Sequence, residues 1–527
     1  MNSSRRHGMR PDRILAIAFS LCVAWLPGSG AAAEAPADRK AVDAIFDEVF
    51  SRYHLPGLAL GIVEDGRVVY SRTAGELVEG EGDRIDSKTL FKVASNTKSM
   101  TTATLARLVD AGKLRWDDPV TRWIPDFRMH DAWVGREMQV RDLLIHNSGL
   151  RAGAGDLMLW PEPNTFTRAD IIHGLGYLEP YRSFRSGYDY DNLMYIVAGE
   201  VAAAAGGSPY EALVRREVFE PLGMTRCQVG QWSRIEVGNV AQPHRREGGR
   251  NVPVRSDGDI IPATTMDPAG GVRCSLDDML RWTANWLKPD AKNEAWLSQE
   301  QRQALWAPQM PMPVSKRMRE WDRSHFSAYG YGWRLADVDG VFKVAHTGTL
   351  MGMYSAVTML PDKGAGFVIL INGEGEDART VLTQVLVKRY TSGAPALSVA
   401  HYAGLIDKED AARPVSEQAP DTSRRRRATV KELSPKLGTY RDPWFGEATL
   451  CRDSDAVRFR ASKSPLLDGV VQRVGKRWLI DWGDPSVDAE AWLDLDGSGM
   501  RLAKVDPQAD FSYDYEDLAF ERVGACP

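Results

Sequence analysis

Apolar residues recur at helical spacing from Lys40 to Tyr53, where Val42, Ile45, Phe46, Val49 and Phe50 share one face. The next stretch, GLALGIVEDGRVVYSRTAG, switches to two strand-like runs joined by Asp65-Gly66, a strong hairpin signal. From Ser95 to about Leu222 the pattern is mostly helical and alanine-rich, broken by proline and glycine loops. Strand-like runs return in YGYGWRL, FKVAHTG, YSAVTML and GFVILIN, the last two linked by PDKGA. A helix over Ala378–Arg389 then carries Val381, Leu382, Val385 and Leu386 on one face. This order predicts an α/β architecture: an antiparallel sheet with its two terminal helices on one side and a helical subdomain inserted beside it.

Thr391 to about Val430 loses the periodicity and reads as a linker. Its basic run Arg424–Arg427 is short and lacks interleaved aromatics, so it reads as solvated charge and not as a nucleic-acid contact. From Lys431 onward apolar residues alternate, as in Val457 and Phe459 or Trp478, Ile480 and Trp482, and predict a small all-β C-terminal domain.

A chain of 527 residues is too long for one compact core, and two domains are expected. The net charge of −5 gives no reason to expect nucleic acid or an anionic membrane as partner. Arg5, Arg6, Arg10 and Arg13 precede the apolar run ILAIAFSLCVAWL, and AAAEA follows. A basic head, a short apolar run and small residues predict an export signal over 1–33, cut after Ala33, with no membrane span remaining afterwards. The domain reading is then 34–390 for the α/β unit, 391–430 for the linker and 431–527 for the β domain. Export permits disulfides. Cys227, Cys274, Cys451 and Cys526 fall two to each domain, so Cys227–Cys274 and Cys451–Cys526 form the economical pairing, with four free thiols as the alternative.

Candidate chemistry begins at FKVASNTKSMTT, which places Ser95 and Lys98 one turn apart at a helix start, with Gly112 as the stop. A desolvated lysine gives up its proton more readily and can act as a base, and a serine at a helix N-terminus sits where the dipole favours developing negative charge. There is no G-x-S-x-G elbow, no H-E-x-x-H and no P-loop, and no cysteine pair has metal spacing. No metal or cofactor is therefore expected. Two further tripeptides follow in order, YDN at Tyr190–Asn192 and HTG at His346–Gly348.

With LPGLALGIV, LVDAGKLRWDDPV, VRDLLIHNSGL, YDYDNLMYIVAGEV, DPAGGVRCSLDDMLRW and HTGTLMGM around them, these motifs resemble the serine β-lactamases and penicillin-recognising enzymes over about Ala41 to Arg389. The resemblance is to the branch with class C β-lactamases, D-alanyl-D-alanine carboxypeptidases, D-aminopeptidases and related esterases. It implies a β-lactamase/transpeptidase-like fold, with Ser95 as the acylated nucleophile, Lys98 as base or relay, and Tyr190 as proton shuttle to the leaving group. It implies that Asn192 holds the substrate amide and Lys98, and that His346, Thr347, Gly348 and Thr349 form the substrate-binding strand. Backbone N–H groups of Ser95 and Thr349 would form the oxyanion hole. Whether Lys98 or Tyr190 takes the first proton stays open at this point. His146, in HNSGL, belongs to a loop signature and is read as structural.

Many β-lactamases of this group carry lysine where this chain has His346. A histidine is charged only part of the time near neutral pH, which weakens the β-lactamase reading without excluding carboxylate substrates. The expectation is an exported serine hydrolase acting on a small ester or a D-amino-acid peptide; the alternatives are a true β-lactamase or a penicillin-binding sensor with little turnover. The partner is a small ester, peptide or β-lactam. LGTYRDPWFGEATL and FSYDYEDLAFERV resemble a module often found behind such hydrolases, which implies no function for it.

Overall fold

The computed structural model describes residues 38–289, 295–392 and 397–527; the export signal read over 1–33 lies outside the described residues. Helix α1 (Arg39–Arg52) starts at Asp38, whose carboxylate accepts the Lys40 N–H at 3.1 Å. It buries Val42, Phe46 and Val49. Strands β1 (Gly57–Glu64) and β2 (Arg67–Gly75) follow as the expected hairpin. Asp65 and Gly66 both hold left-handed φ, 48° and 76°, as a two-residue turn of this twist requires.

The remaining strands of this sheet come late in the chain: β3 (Met310–Pro311), β4 (Ser327–Tyr329), β5 (Arg334–Val338), β6 (Val341–Leu350), β7 (Met353–Leu360) and β8 (Ala365–Ile371). The order is β2-β1-β8-β7-β6-β5-β4-β3, antiparallel throughout. One face packs Leu60, Ile62, Phe367 and Ile369 against α1 and the late helix Glu376–Thr391. The other face meets the helix Leu276–Leu287 and the helical subdomain, whose core includes Leu105, Ile196 and Trp282. Alternation along β8 puts buried side chains on both faces, so the run reads as continuously apolar.

Two expectations need correction. YGYGWRL is not one strand: β4 ends at Tyr329 and β5 begins at Arg334. Between them Gly332 turns at φ 75°, and a Cβ there would lie 2.8 Å from Thr102 Oγ1 and 2.9 Å from the Lys98 carbonyl. The turn is pressed against the helix that carries Lys98 and Thr102, and only glycine fits. The stretch read as linker holds a helix, Val399–Ala411, which buries Val399, Tyr402, Ala403 and Ile406 in the same core as α1.

The C-terminal domain is a closed up-and-down barrel of β9 (Gly438–Asp442), β10 (Gly446–Asp453), β11 (Ala456–Ala461), β12 (Asp468–Val474), β13 (Arg477–Trp482), β14 (Ala491–Asp496), β15 (Gly499–Lys504) and β16 (Phe520–Gly524). Each strand pairs antiparallel with the next, and β9 with β16 closes the ring, so no barrel strand is left as a free edge. Both disulfides form as paired above, Cys227–Cys274 and Cys451–Cys526. Among the described residues no helix is long and apolar enough to cross a membrane.

Candidate active site

Ser95 stands on a short turn, Ala94–Asn96, that runs directly into α2 (Thr97–Asp110). Ala94 is held at φ 49°, a left-handed value that costs a residue with a Cβ about 1–3 kcal/mol and is typical of functional sites. Helix α2 is buried without interruption from Thr97 to Ala106 although rich in hydroxyls. Thr101, Thr102 and Thr104 satisfy theirs on the carbonyls of Thr97, Ser99 and Met100. Gly112, at φ 67°, ends the helix as expected.

Lys98 is fully buried and lies one turn along from Ser95. Its Nζ donates to Ser95 Oγ at 3.2 Å, to Asn192 Oδ1 at 2.7 Å and to the Ala269 carbonyl at 2.9 Å. Burial drives its pKa from 10.5 down to about 7; the Asp156 and Asp191 carboxylates oppose that shift and the Arg334 guanidinium adds to it. The Tyr190 ring centre lies 4.9 Å from Nζ. Burial pushes the Tyr190 phenol up to about 12, against the pull of Arg334 and of its hydrogen bond with Ser95.

Asn192 enters the helix Leu193–Gly206 and is oriented from both ends of its amide. The oxygen faces Lys98, and Nδ2 donates to Asp156 Oδ2 at 2.8 Å. Asp156 is fully buried, which holds its carboxyl well above the usual range; its Oδ1 finds no hydrogen-bond partner among the described residues.

Strand β6 alternates. Thr347 and Thr349 face the cavity, while His346 and Gly348 face away. Gly348 is required for close approach, since a Cβ there would meet the Val93 carbonyl at 2.2 Å and Ala94 Cβ at 3.0 Å. Its own carbonyl and Thr349 Oγ1 accept from Arg379 Nη1 at 2.7 and 2.9 Å. His346, expected to bind substrate, is turned away from the cavity that Thr347 and Thr349 line. It is 1% exposed, its Nδ1 lies 2.7 Å from the Thr347 carbonyl, and its Nε2 lies 2.8 Å from the Tyr329 phenol oxygen. Burial and then the cations Arg334 and Lys98 hold it well below its ordinary pKa, so the ring is neutral and supports the strand from beneath. His146 is likewise buried and neutral; its Nδ1 accepts the Asp191 N–H at 3.0 Å and its ring backs Tyr190 at 4.3 Å.

Ser95, Tyr190, Asn192, Thr347 and Thr349 thus line one cavity of about 380 Å³. Sequence reasoning missed several other parts of it. Asp156 carries no motif. Arg334 hides in the strand-like YGYGWRL, yet its side chain opens into the cavity, 5.8 Å above the Tyr190 ring, with no ion pair among the described residues. Asp488, Asp510, Phe511, Ser512 and Tyr513 come from the C-terminal barrel. The last three lie in FSYDYEDLAFERV, which had a recognisable pattern but no assigned role.

The family model described as Beta-lactamase matches residues 42–389. The chain is 26% identical to penicillin-binding protein 4 of Amycolatopsis lactamdurans, over 62% of this chain and 84% of that protein. It is 28% identical to esterase EstB of Burkholderia gladioli, over 63% and 88% respectively. It is 25% identical to the unguisins hydrolase ungD' of Aspergillus campestris, over 67% and 65%. Among solved structures, the octameric penicillin-binding protein homologue from Pyrococcus abyssi shares the fold at a TM-score of 0.58 and 19% identity, over 88% of this chain and 98% of that one. A serine, a buried lysine, a tyrosine and an asparagine around one cavity, on this sheet and within this match, place the chain in the beta-lactamase family of serine hydrolases.

Proposed function

We infer that this protein is an exported hydrolase that cleaves a small ester or a D-amino-acid peptide through an acyl-Ser95 intermediate. The observation that carries the reading is the contact of Lys98 Nζ with Ser95 Oγ at 3.2 Å by an amine whose pKa is near 7. Half of such an amine is unprotonated at neutral pH, whereas a phenol near 12 is almost wholly protonated. Lys98 therefore takes the serine proton first, and Tyr190 passes a proton to the departing alcohol or amine. Asn192 holds the lysine and offers an amide edge to the substrate. Thr347 and Thr349 present the strand along which an acyl group docks. The backbone N–H groups of Ser95 and Thr349 are assigned to the oxyanion, because Gly348 lets the strand approach the nucleophile turn.

One observation favours a second reading, hydrolysis of a β-lactam. Arg334 offers the cavity a guanidinium free of any ion pair among the described residues, suited to a substrate carboxylate. Purified mature protein, assayed side by side on short-chain p-nitrophenyl esters, D-alanyl peptides and a chromogenic cephalosporin, separates the two. Esters or D-peptides are expected to turn over best, with Ser95→Ala abolishing turnover in folded protein and mass spectrometry finding the acyl group on Ser95. Full activity in Ser95→Ala would end the serine mechanism; a large preference for the cephalosporin would replace the first reading by the second. The export half of the reading rests on the basic, apolar and small-residue order of 1–33, and the N-terminal mass of protein recovered outside the cytoplasm tests it.

A further inference from the structure

In an up-and-down barrel every second loop lies at the same end. The loops after β9, β11, β13 and β15 share such an end, and each of the four touches the hydrolase domain. Phe445, after β9, packs on Phe166 with ring centres 5.5 Å apart. Lys463, after β11, pairs with Asp170 at 2.6 Å, and its carbonyl accepts the Thr165 N–H at 2.8 Å. Ser486, after β13, accepts from Arg255 Nε at 2.7 Å. The loop after β15 goes furthest. Asp514, only 2% exposed, accepts the Gly155 N–H at 2.9 Å, and Asp514 and Asp517 both pair with Arg151. A Cβ on Gly153 would lie 2.6 Å from the Phe511 carbonyl, so the two backbones are in contact.

This docking carries two side chains to the reacting centre. The Phe511 ring stands edge-on to the Tyr190 ring at 5.9 Å and remains 42% exposed, its free surface turned to the cavity. Ser512 Oγ donates to Asp156 Oδ2 at 2.8 Å, and the same oxygen accepts from Asn192 Nδ2, whose carbonyl holds Lys98. Ser512 is thereby one end of a hydrogen-bonded line, Ser512–Asp156–Asn192–Lys98, that begins in the barrel and ends on the proposed base.

We propose that the C-terminal barrel is a working wall of the active site: Phe511 is the apolar surface on which the substrate chain rests, and Ser512 is a positioning residue for Asn192 and Lys98. The proposal rests on the acyl-Ser95 reading. It assigns the site a substrate with an apolar segment next to the scissile carbonyl, in reach of both Tyr190 and Phe511. Without the ring that segment loses one wall to water, and a lost apolar contact of this kind is worth about tenfold in kcat/KM. Without the Ser512 hydroxyl the Asp156 carboxyl, already short of a partner at Oδ1, loses its grip on the asparagine.

The test uses the full oxidised chain as wild type, Phe511→Ala, Ser512→Ala and Ser512→Thr, with p-nitrophenyl acetate and hexanoate. Phe511→Ala is expected to lower the hexanoate-to-acetate ratio of kcat/KM by about tenfold. Ser512→Ala is expected to lower kcat by about tenfold with KM within twofold, and Ser512→Thr to restore it. A fluorophosphonate that titrates Ser95 counts intact sites in each variant. Full labelling with a ratio unchanged or raised in Phe511→Ala, or with kcat unchanged in Ser512→Ala, overturns the corresponding role while leaving the serine chemistry standing. Absence of labelling on Ser95 in the wild type overturns the hydrolase reading and this proposal together.

Discussion

Replacing Arg334 with glutamine removes a positive charge from the cavity wall and keeps a polar side chain of similar reach. Lys98 Nζ lies 4.9 Å and the Arg334 guanidinium carbon 5.8 Å from the centre of the Tyr190 ring, which keeps the two cations within about 11 Å of each other. At that separation and an effective dielectric of about 20, two unit charges repel by roughly 1.5 kcal/mol, or about one pKa unit. Asp156 and Asp191 hold the Lys98 proton on, Arg334 drives it off, and Tyr190, His146 and His346 are neutral in the range concerned. Removing a cation from beside the amine stabilises its protonated form, so its pKa rises. The acid limb of kcat/KM, expected near pH 7 in the wild type, moves to about pH 8 in Arg334→Gln. At pH 7 the unprotonated fraction falls from about one half to about one tenth, a loss of about fivefold, and the two enzymes converge above about pH 9. The assay is a pH–rate profile on p-nitrophenyl acetate, a neutral substrate that makes no use of an arginine as anion anchor. A limb that stays in place, moves to lower pH, or falls in parallel at every pH would refute the electrostatic account of Lys98.

Gly348→Ala drives a methyl into the Val93 carbonyl and Ala94, so activity should fall at least a hundredfold while thermal unfolding shifts only modestly; near-normal kcat/KM would show that the strand can back away. His346→Lys places an ammonium in a site 1% exposed beside Arg334 and Lys98, and is expected to cost about 3 kcal/mol in urea unfolding without any gain on a cephalosporin; improved cephalosporin turnover would restore His346 as a substrate contact. Cys526→Ser opens a bridge that spans 75 positions, and should lower the stability of the barrel by about 4 kcal/mol, read by denaturant unfolding, with intact protein at low denaturant still titrated at Ser95.

Much of the hydrolase domain could be read along the chain because its determinants are local. The period of α1, the Asp65-Gly66 turn, the continuous apolar run of β8 and the spacing of Ser95 and Lys98 each depend on a few neighbouring residues. The pairing of four cysteines followed from their division between two domains. Side-chain burial is not local, and there the chain alone gives no direction. HTG states that a histidine lies on a strand, but only the packing of β6 against Tyr329 and the Ala94–Asn96 turn decides that the ring faces inward and stays neutral. YGYGWRL has the composition of a strand; the proximity of Lys98 and Thr102 makes its glycine a turn and leaves Arg334 opening into the cavity. Asp156 and Ser512 are separated by 356 positions and meet only because one end of the barrel docks beside Asn192. The sequence by itself set Ser95 and Lys98 one turn apart, because that spacing is local, and the resemblance of the surrounding motifs implied an acyl-transfer site. The tertiary structure alone decided how strongly each holds its proton and which domain closes the cavity around them, because desolvation and contact arise only when distant segments exclude water together.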